Sequence, residues 1–235
     1  MKKAFTYQDE KSNKFWTIDY SGLTIGVHYG KNGTIGKYEI KEFSSREDCE
    51  KEAKKLIASK MKKGYQENHI YDFDNCLYVD VGEYGPHPKT SHPRFVAHFI
   101  EEFYYDCGDE EAPFGSDEGS DTLNEMQEII RKKHTIDFAT FPKHLIESLW
   151  GMHYIAVDTL DEKTVRDIAK EHEMDMLQSD MVTYATAFGQ IKITGKLDSD
   201  LKKNALLALK RFAIMYSSGK LTATQQTMYN NLLTF

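Results

Sequence analysis

The 235-residue chain has only three cysteines, Cys49, Cys76 and Cys107, and none stand in a CxxC spacing. An odd number so placed suggests neither a disulfide framework nor a thiolate metal cage, and fits a reduced, cytoplasmic setting. Runs of 18 apolar residues are missing too, and Met1-Lys2-Lys3 leads to Phe5, Tyr7, Asp9 and Glu10, so neither a membrane span nor a secretory leader is expected. No HExxH motif, full calcium-loop spacing, internal repeat or strong βαβ series occurs. The net charge of −7 weighs against nonspecific nucleic-acid binding by the whole surface, although a local basic face can still bind.

What is present is an ordinary globular composition, 40% hydrophobic, 12% aromatic and 29% charged, long enough for one large or two small domains. Charge divides the chain. Through Asn68 there are 14 Lys/Arg against 10 Asp/Glu, net +4, and the rest holds 16 against 27, net −11. The asymmetry places a boundary near residue 68, giving domains 1–67 and 68–235.

Phe15–Tyr20 and Leu23–Tyr29 are rich in aromatic and β-branched residues and are joined by Ser21-Gly22, which predicts a hairpin. A third strand is expected over 36–43, after Lys31-Asn32-Gly33-Thr34. Ser44 and Glu47 have capping-box spacing, and the recurrence of Cys49, Ala53, Leu56, Ile57 and Met61 predicts a helix over 45–63, closed by Gly64. Beyond a strand over 76–81 and a proline-bearing loop, periodicity predicts helices over 94–104, 122–133, 142–150, 161–172, 175–188, 198–216 and 222–233. Short strands over 154–157 and 190–194 are compatible with the pattern. The fold class is therefore α+β: a small antiparallel sheet with a helix, then a predominantly helical domain.

His28-Tyr29-Gly30-Lys31-Asn32-Gly33-Thr34-Ile35-Gly36, flanked by Lys14–Ile18, Lys41-Glu42-Phe43 and the lysine-rich helix through Gly64-Tyr65, resembles the WGR family. Tyr29 and Lys31 stand at the name-giving tryptophan and arginine; lysine keeps the charge without arginine's bidentate fork. The resemblance implies a binding module for nucleic acid or neighbouring protein domains. It does not carry over the ADP-ribosyltransferase reaction of some WGR proteins. Ser91–Phe95, Ala112–Gly119 and Ala187–Ile193 are similar to the YfeS-like group of bacterial WGR-containing proteins, a likeness that extends over most of the chain.

From the residues themselves, Lys31, Lys51, Lys54, Lys55, Lys60, Lys62 and Lys63 can contact phosphate, and Trp16 or Tyr29 can stack on a base. The alternatives are a solvated lysine face with both rings in the core, or a protein contact. Phe95–Ile130 has no Lys or Arg and eleven carboxylates. Within it Asp106, Asp109, Asp117 and Asp121, with His92 and His98 as partners, are the candidates for acid–base catalysis, and the four aspartates for a divalent metal. The competing reading makes these acids loop and helix caps, with Asp117 and Asp121 securing a helix start at Thr122, or a partner-recognition surface. His134, His144, His153 and His172 offer no ligand spacing in the sequence. Together these readings favour a noncatalytic adaptor that engages nucleic acid or protein through its basic first domain, with no cofactor required. A carboxylate- or metal-dependent hydrolase in the second domain is the alternative, and lysines of one domain facing acids of the other would be a third use of the charge division.

Overall fold

In the computed structural model, which describes residues 1–82, 84–132 and 134–235, the chain divides into two compact units, Met1–Ser91 and His92–Phe235. The first unit is a five-stranded antiparallel sheet of β1 (Lys2–Gln8), β2 (Asn13–Ser21), β3 (Thr24–Lys31), β4 (Lys37–Glu42) and β5 (Gln66–Glu67), in the order β4-β3-β2-β1-β5. The expected hairpin is β2–β3, with Trp16 opposite Tyr29 and Ile18 opposite Val27. Strand β1, which the sequence pattern does not announce, sets Phe5 opposite Trp16.

Helix α1 (Arg46–Lys62) begins one residue later than the Ser44–Glu47 box suggests: the cap is Ser45, whose Oγ accepts the Asp48 amide at 3.1 Å. Alternation along the strands aims Phe5, Trp16, Ile18, Ile25 and Val27 at Cys49 and Ala53 of α1, closing one core. The opposite face of the sheet is covered as well. Phe15 meets Tyr71, and Tyr38, stacked on His28, meets Tyr78, while Lys89 crosses the sheet at Gly26 to pair with Asp19 at 3.1 Å and donate to Ser21 at 2.7 Å. Residues 68–91 therefore group with the first unit, although the charge division put the boundary near 68. Over 76–81 no strand forms; only an isolated bridge joins Val81 and Gly85.

The second unit is helical. Its elements are α2 (Pro93–His98), α3 (Asp117–Arg131), α4 (Phe141–Lys143, running on as a π-type stretch His144–Leu149), α5 (Glu162–Thr194), α6 (Ser199–Tyr216) and α7 (Ala223–Thr234). The helix expected over 94–104 breaks at Phe99 and resumes as a 3-10 turn, Glu102–Tyr105. Phe99 and Tyr104 both pack on Phe188, and in an uninterrupted helix side chains five residues apart would point about 140° apart.

The two predicted helices, 161–172 and 175–188, form as the two segments of α5, which meet at a kink at His172 with non-helical φ −133°, ψ 32°, beside the expected division. The continuation of α5 through 190–194 replaces the expected strand, and none forms over 154–157. From Ser179 to Ile193 every residue of α5 is buried, so packing on all sides outweighs the β preference of Ile191, Ile193 and Thr194. Hydroxyls along it bond back one turn, Thr183 to Ser179 O at 2.6 Å and Thr186 to Val182 O at 2.7 Å. The Thr222–Gln225 capping box forms as expected.

Candidate functional site

Turn chemistry shapes the basic end of the first unit. His28 Nε2 meets Ile35 O at 2.6 Å, its ring stacks on Tyr38 at 3.9 Å, and Gly36 at φ +71° has no room for a Cβ against Phe15 and His28. This holds the loop 32–36 closed, with Lys31 exposed at its mouth. Burial pushes the His28 imidazole down to about 4, against the opposing effect of Ile35 O, so near neutrality the ring is uncharged and donates to that carbonyl.

Trp16 is a core residue with 2% exposure, so its ring is not available to stack on a base. Tyr29 is half-buried on the same side and donates its hydroxyl to Glu39 at 2.5 Å. Lys60 lies over three rings, 5.3 Å from Trp16, 5.9 Å from Tyr29 and 5.2 Å from Tyr65. Lys51, Lys54, Lys55, Lys62 and Lys63 are exposed. Among the described residues only Lys55 of these five makes an ion pair, with Glu52 at 3.3 Å. Counted on the compact units, the first carries 15 Lys/Arg against 14 Asp/Glu, net +1, and the second 15 against 23, net −8. The basic character is therefore a local property of α1 and the Lys31 turn. The crevice on the other sheet face, beside Tyr38 and Lys89, encloses only about 20 Å³.

In the second unit the four candidate aspartates are not brought together. Asp106 accepts the Gly108 amide at 2.8 Å and Asp109 the Glu111 amide at 3.0 Å, each closing its own turn. Helix α3 starts five residues before Thr122, capped by Ser116 through the Gly119 amide at 3.1 Å. That leaves Asp117 in the first turn and Asp121 exposed along the helix, neither as the cap. His92 is buried at the start of α2, where Nδ1 accepts the Arg94 amide at 3.1 Å, whereas His98 Nε2 bonds Asn231 O at 2.7 Å. Both histidines are thus engaged with backbone groups.

Asp117 does line a cavity of about 540 Å³, with Glu110, Glu111 and Glu118 on its acidic side and Met181 and Phe212 among its apolar lining. Thr222 fixes Glu111 by donating to its Oε2 at 2.8 Å. Such a lining favours a cation with an apolar body. Cys107 is exposed, and burial pushes the Cys49 and Cys76 thiols up, away from thiolate chemistry near neutrality.

Residues 1–71 match the WGR domain family model. Over 240 aligned residues the chain is 51% identical to the Escherichia coli "Uncharacterized protein YfeS", covering 100% of this chain and 98% of that one. The chain belongs to the YfeS-like family of WGR-domain proteins. A second E. coli relative, "Protein YehF", is 48% identical over 65 residues, 28% of this chain and 24% of its own. A crystal structure of a Bacteroides fragilis protein is 34% identical over 45% of this chain and 31% of that one, at a TM-score of 0.29. In this YfeS-like chain the residues that resemble the WGR motif, Tyr29, Gly30 and Lys31, sit at the end of β3 where the strand enters the loop closed by His28. Among the described residues no helix is long and apolar enough to cross a membrane.

One cluster escapes sequence reasoning. Among the described residues, the only group of three or more His, Cys, Asp or Glu whose ligand atoms could share an ion is His153, His172 and Asp175. Its spacing of 19 and then three residues matches no motif, and its His172 stands at the kink in α5.

Proposed function

We propose that this YfeS-like protein is a noncatalytic adaptor whose WGR unit engages the phosphate backbone of nucleic acid through the lysines of α1 and the Lys31 turn. The observation that carries this reading is the placement of Lys51, Lys54, Lys55 and Lys62 on the side of α1 opposite Cys49 and Ala53, exposed and nearly free of carboxylate partners. Phosphate contacts need mobile, unneutralised cations and no sequence-reading groove element, and such contacts position a protein without specifying bases. With Trp16 in the core, backbone charge rather than base stacking supplies the binding energy. The hydrolase reading has less support, because Asp106 and Asp109 serve separate turns and Asp121 lies outside the cavity that Asp117 lines.

Fluorescence anisotropy with single-stranded and duplex DNA and with RNA, over a salt series, tests this. Binding is expected at low salt, with log K falling linearly in log salt. The exposed set Lys51, Lys54, Lys55, Lys62 and Lys63 changed together to Gln should flatten that slope by about 0.9 for each duplex phosphate the variant leaves unneutralised. No binding at low salt, or an unchanged slope in the quintuple variant, overturns the nucleic-acid reading.

A further inference from the structure

We infer that His153, His172 and Asp175 form a binding site for one divalent transition-metal ion of the zinc class. His172 Nδ1 and His153 Nδ1 both converge on Asp175 Oδ2, at 3.1 and 3.5 Å, and all three ligand atoms lie within 4.8 Å of one another. Donors bound tetrahedrally at about 2.0–2.1 Å from an ion stand roughly 3.3 Å apart, so both separations are those of tetrahedron edges. Two imidazoles and one carboxylate suit zinc and its first-row neighbours. Magnesium and calcium prefer six or more oxygens.

The backbone prepares this arrangement. Residues i and i+3 lie on one side of a helix, and His172, at the kink, has Nδ1 3.1 Å from Asp175 Oδ2. The segment that carries His153 is pinned on both sides of its histidine. Gln178 donates to Met152 Sδ at 3.3 Å, the Ile155 amide donates to Ser179 Oγ at 2.9 Å, and Arg211 donates to Ile155 O at 2.8 Å and Ala156 O at 2.6 Å. Because the three ligands are partly exposed, the coordination left over by the protein is open to water. A bound ion would join the 152–156 segment to the kink and hold both in place. The site is independent of what the first unit binds.

The alternative is that the two imidazoles merely donate hydrogen bonds to Asp175. Calorimetric titration of Zn²⁺ into the untagged, chelator-stripped full chain separates the two, with Mg²⁺ as a control. The expected result is saturable 1:1 Zn²⁺ binding, with His153→Ala weakening it by at least the roughly 10- to 100-fold that loss of an outer-shell partner causes, and Cys107→Ser leaving it unchanged. Co²⁺ should give visible absorption bands that His153→Ala abolishes. His153 is exposed, so its removal should leave the far-ultraviolet circular dichroism intact. No saturable Zn²⁺ binding, or equal binding by the wild type and His153→Ala, overturns the proposal.

Discussion

The His28 ring is held on three sides, stacked on Tyr38, edge-on to Phe15 at 4.7 Å and hydrogen-bonded to Ile35 O. Its folded-state value of about 4 lies below the ordinary 6.5, so the unfolded chain takes up a proton first as pH falls. The associated stability is therefore fully present above about 6.5 and is lost as pH falls toward 4, a decline of up to about 3 kcal/mol. Urea denaturation between pH 7 and pH 4 should record it, and His28→Phe should flatten this part of the curve. At this scale the sequence is informative where the chemistry is local. The Asn32-Gly33 turn and the Thr222 cap are legible because neighbours along the chain satisfy them. Trp16 is not, because a tryptophan beside a basic motif reads equally well as a stacking surface or as core until the facing helix is known.

Among the elements, α5 is the one whose character the sequence conceals. Ser179, Thr183, Thr186, Gly189 and Gln190 look like a surface or a strand, yet the hydroxyls bond back to the preceding turn and leave an apolar exterior. The cluster of His153, His172 and Asp175 is hidden for a related reason: it joins this helix to a segment 19 residues upstream of His172. Helix α5 also carries Asp180, fully buried and clasped by Arg211 of α6 through Nε at 3.0 and 3.1 Å and Nη2 at 2.9 Å. Burial pushes the Asp180 carboxyl up to about 7 even though Arg211 opposes it. Arg211→Met should destabilise the second unit by about 3–5 kcal/mol near neutrality, because a buried acid without its counter-charge must take up a proton to stay folded. A carboxyl whose folded-state value is raised is penalised above its unfolded value, so the second unit of the Arg211→Met protein should be more stable at pH 5 than at pH 8. Chemical denaturation at the two pH values checks the sign, and Asp180→Leu added to Arg211→Met should recover part of the loss.

For the whole molecule, the charge division marks a change near residue 68, close to the end of the WGR match at residue 71, whereas the compact units divide between Ser91 and His92. Acids at 72, 74 and 80 look like the start of the acidic part, whereas Tyr71, Tyr78 and Lys89 of the same stretch close the open face of the sheet. The signal available in the sequence is the run Phe15-Trp16-Thr17-Ile18, all four buried, since a strand solvated on one face would alternate instead. We expect a fragment ending at Ser91 to unfold cooperatively, and one ending at Glu67 to melt at a lower temperature with Phe15 and His28 uncovered. Thermal circular dichroism of the two fragments decides this, and equal melting temperatures would favour the earlier boundary.

The ammonium of Lys60 resting above Trp16, Tyr29 and Tyr65 has a further consequence for recognition. With Trp16 in the core, the partly exposed rings of this group, Tyr29 and Tyr65, already have an occupant supplied by their own chain. A flat guest arriving there must first evict a cation, whereas an anionic guest can draw that same cation outward and be met by it.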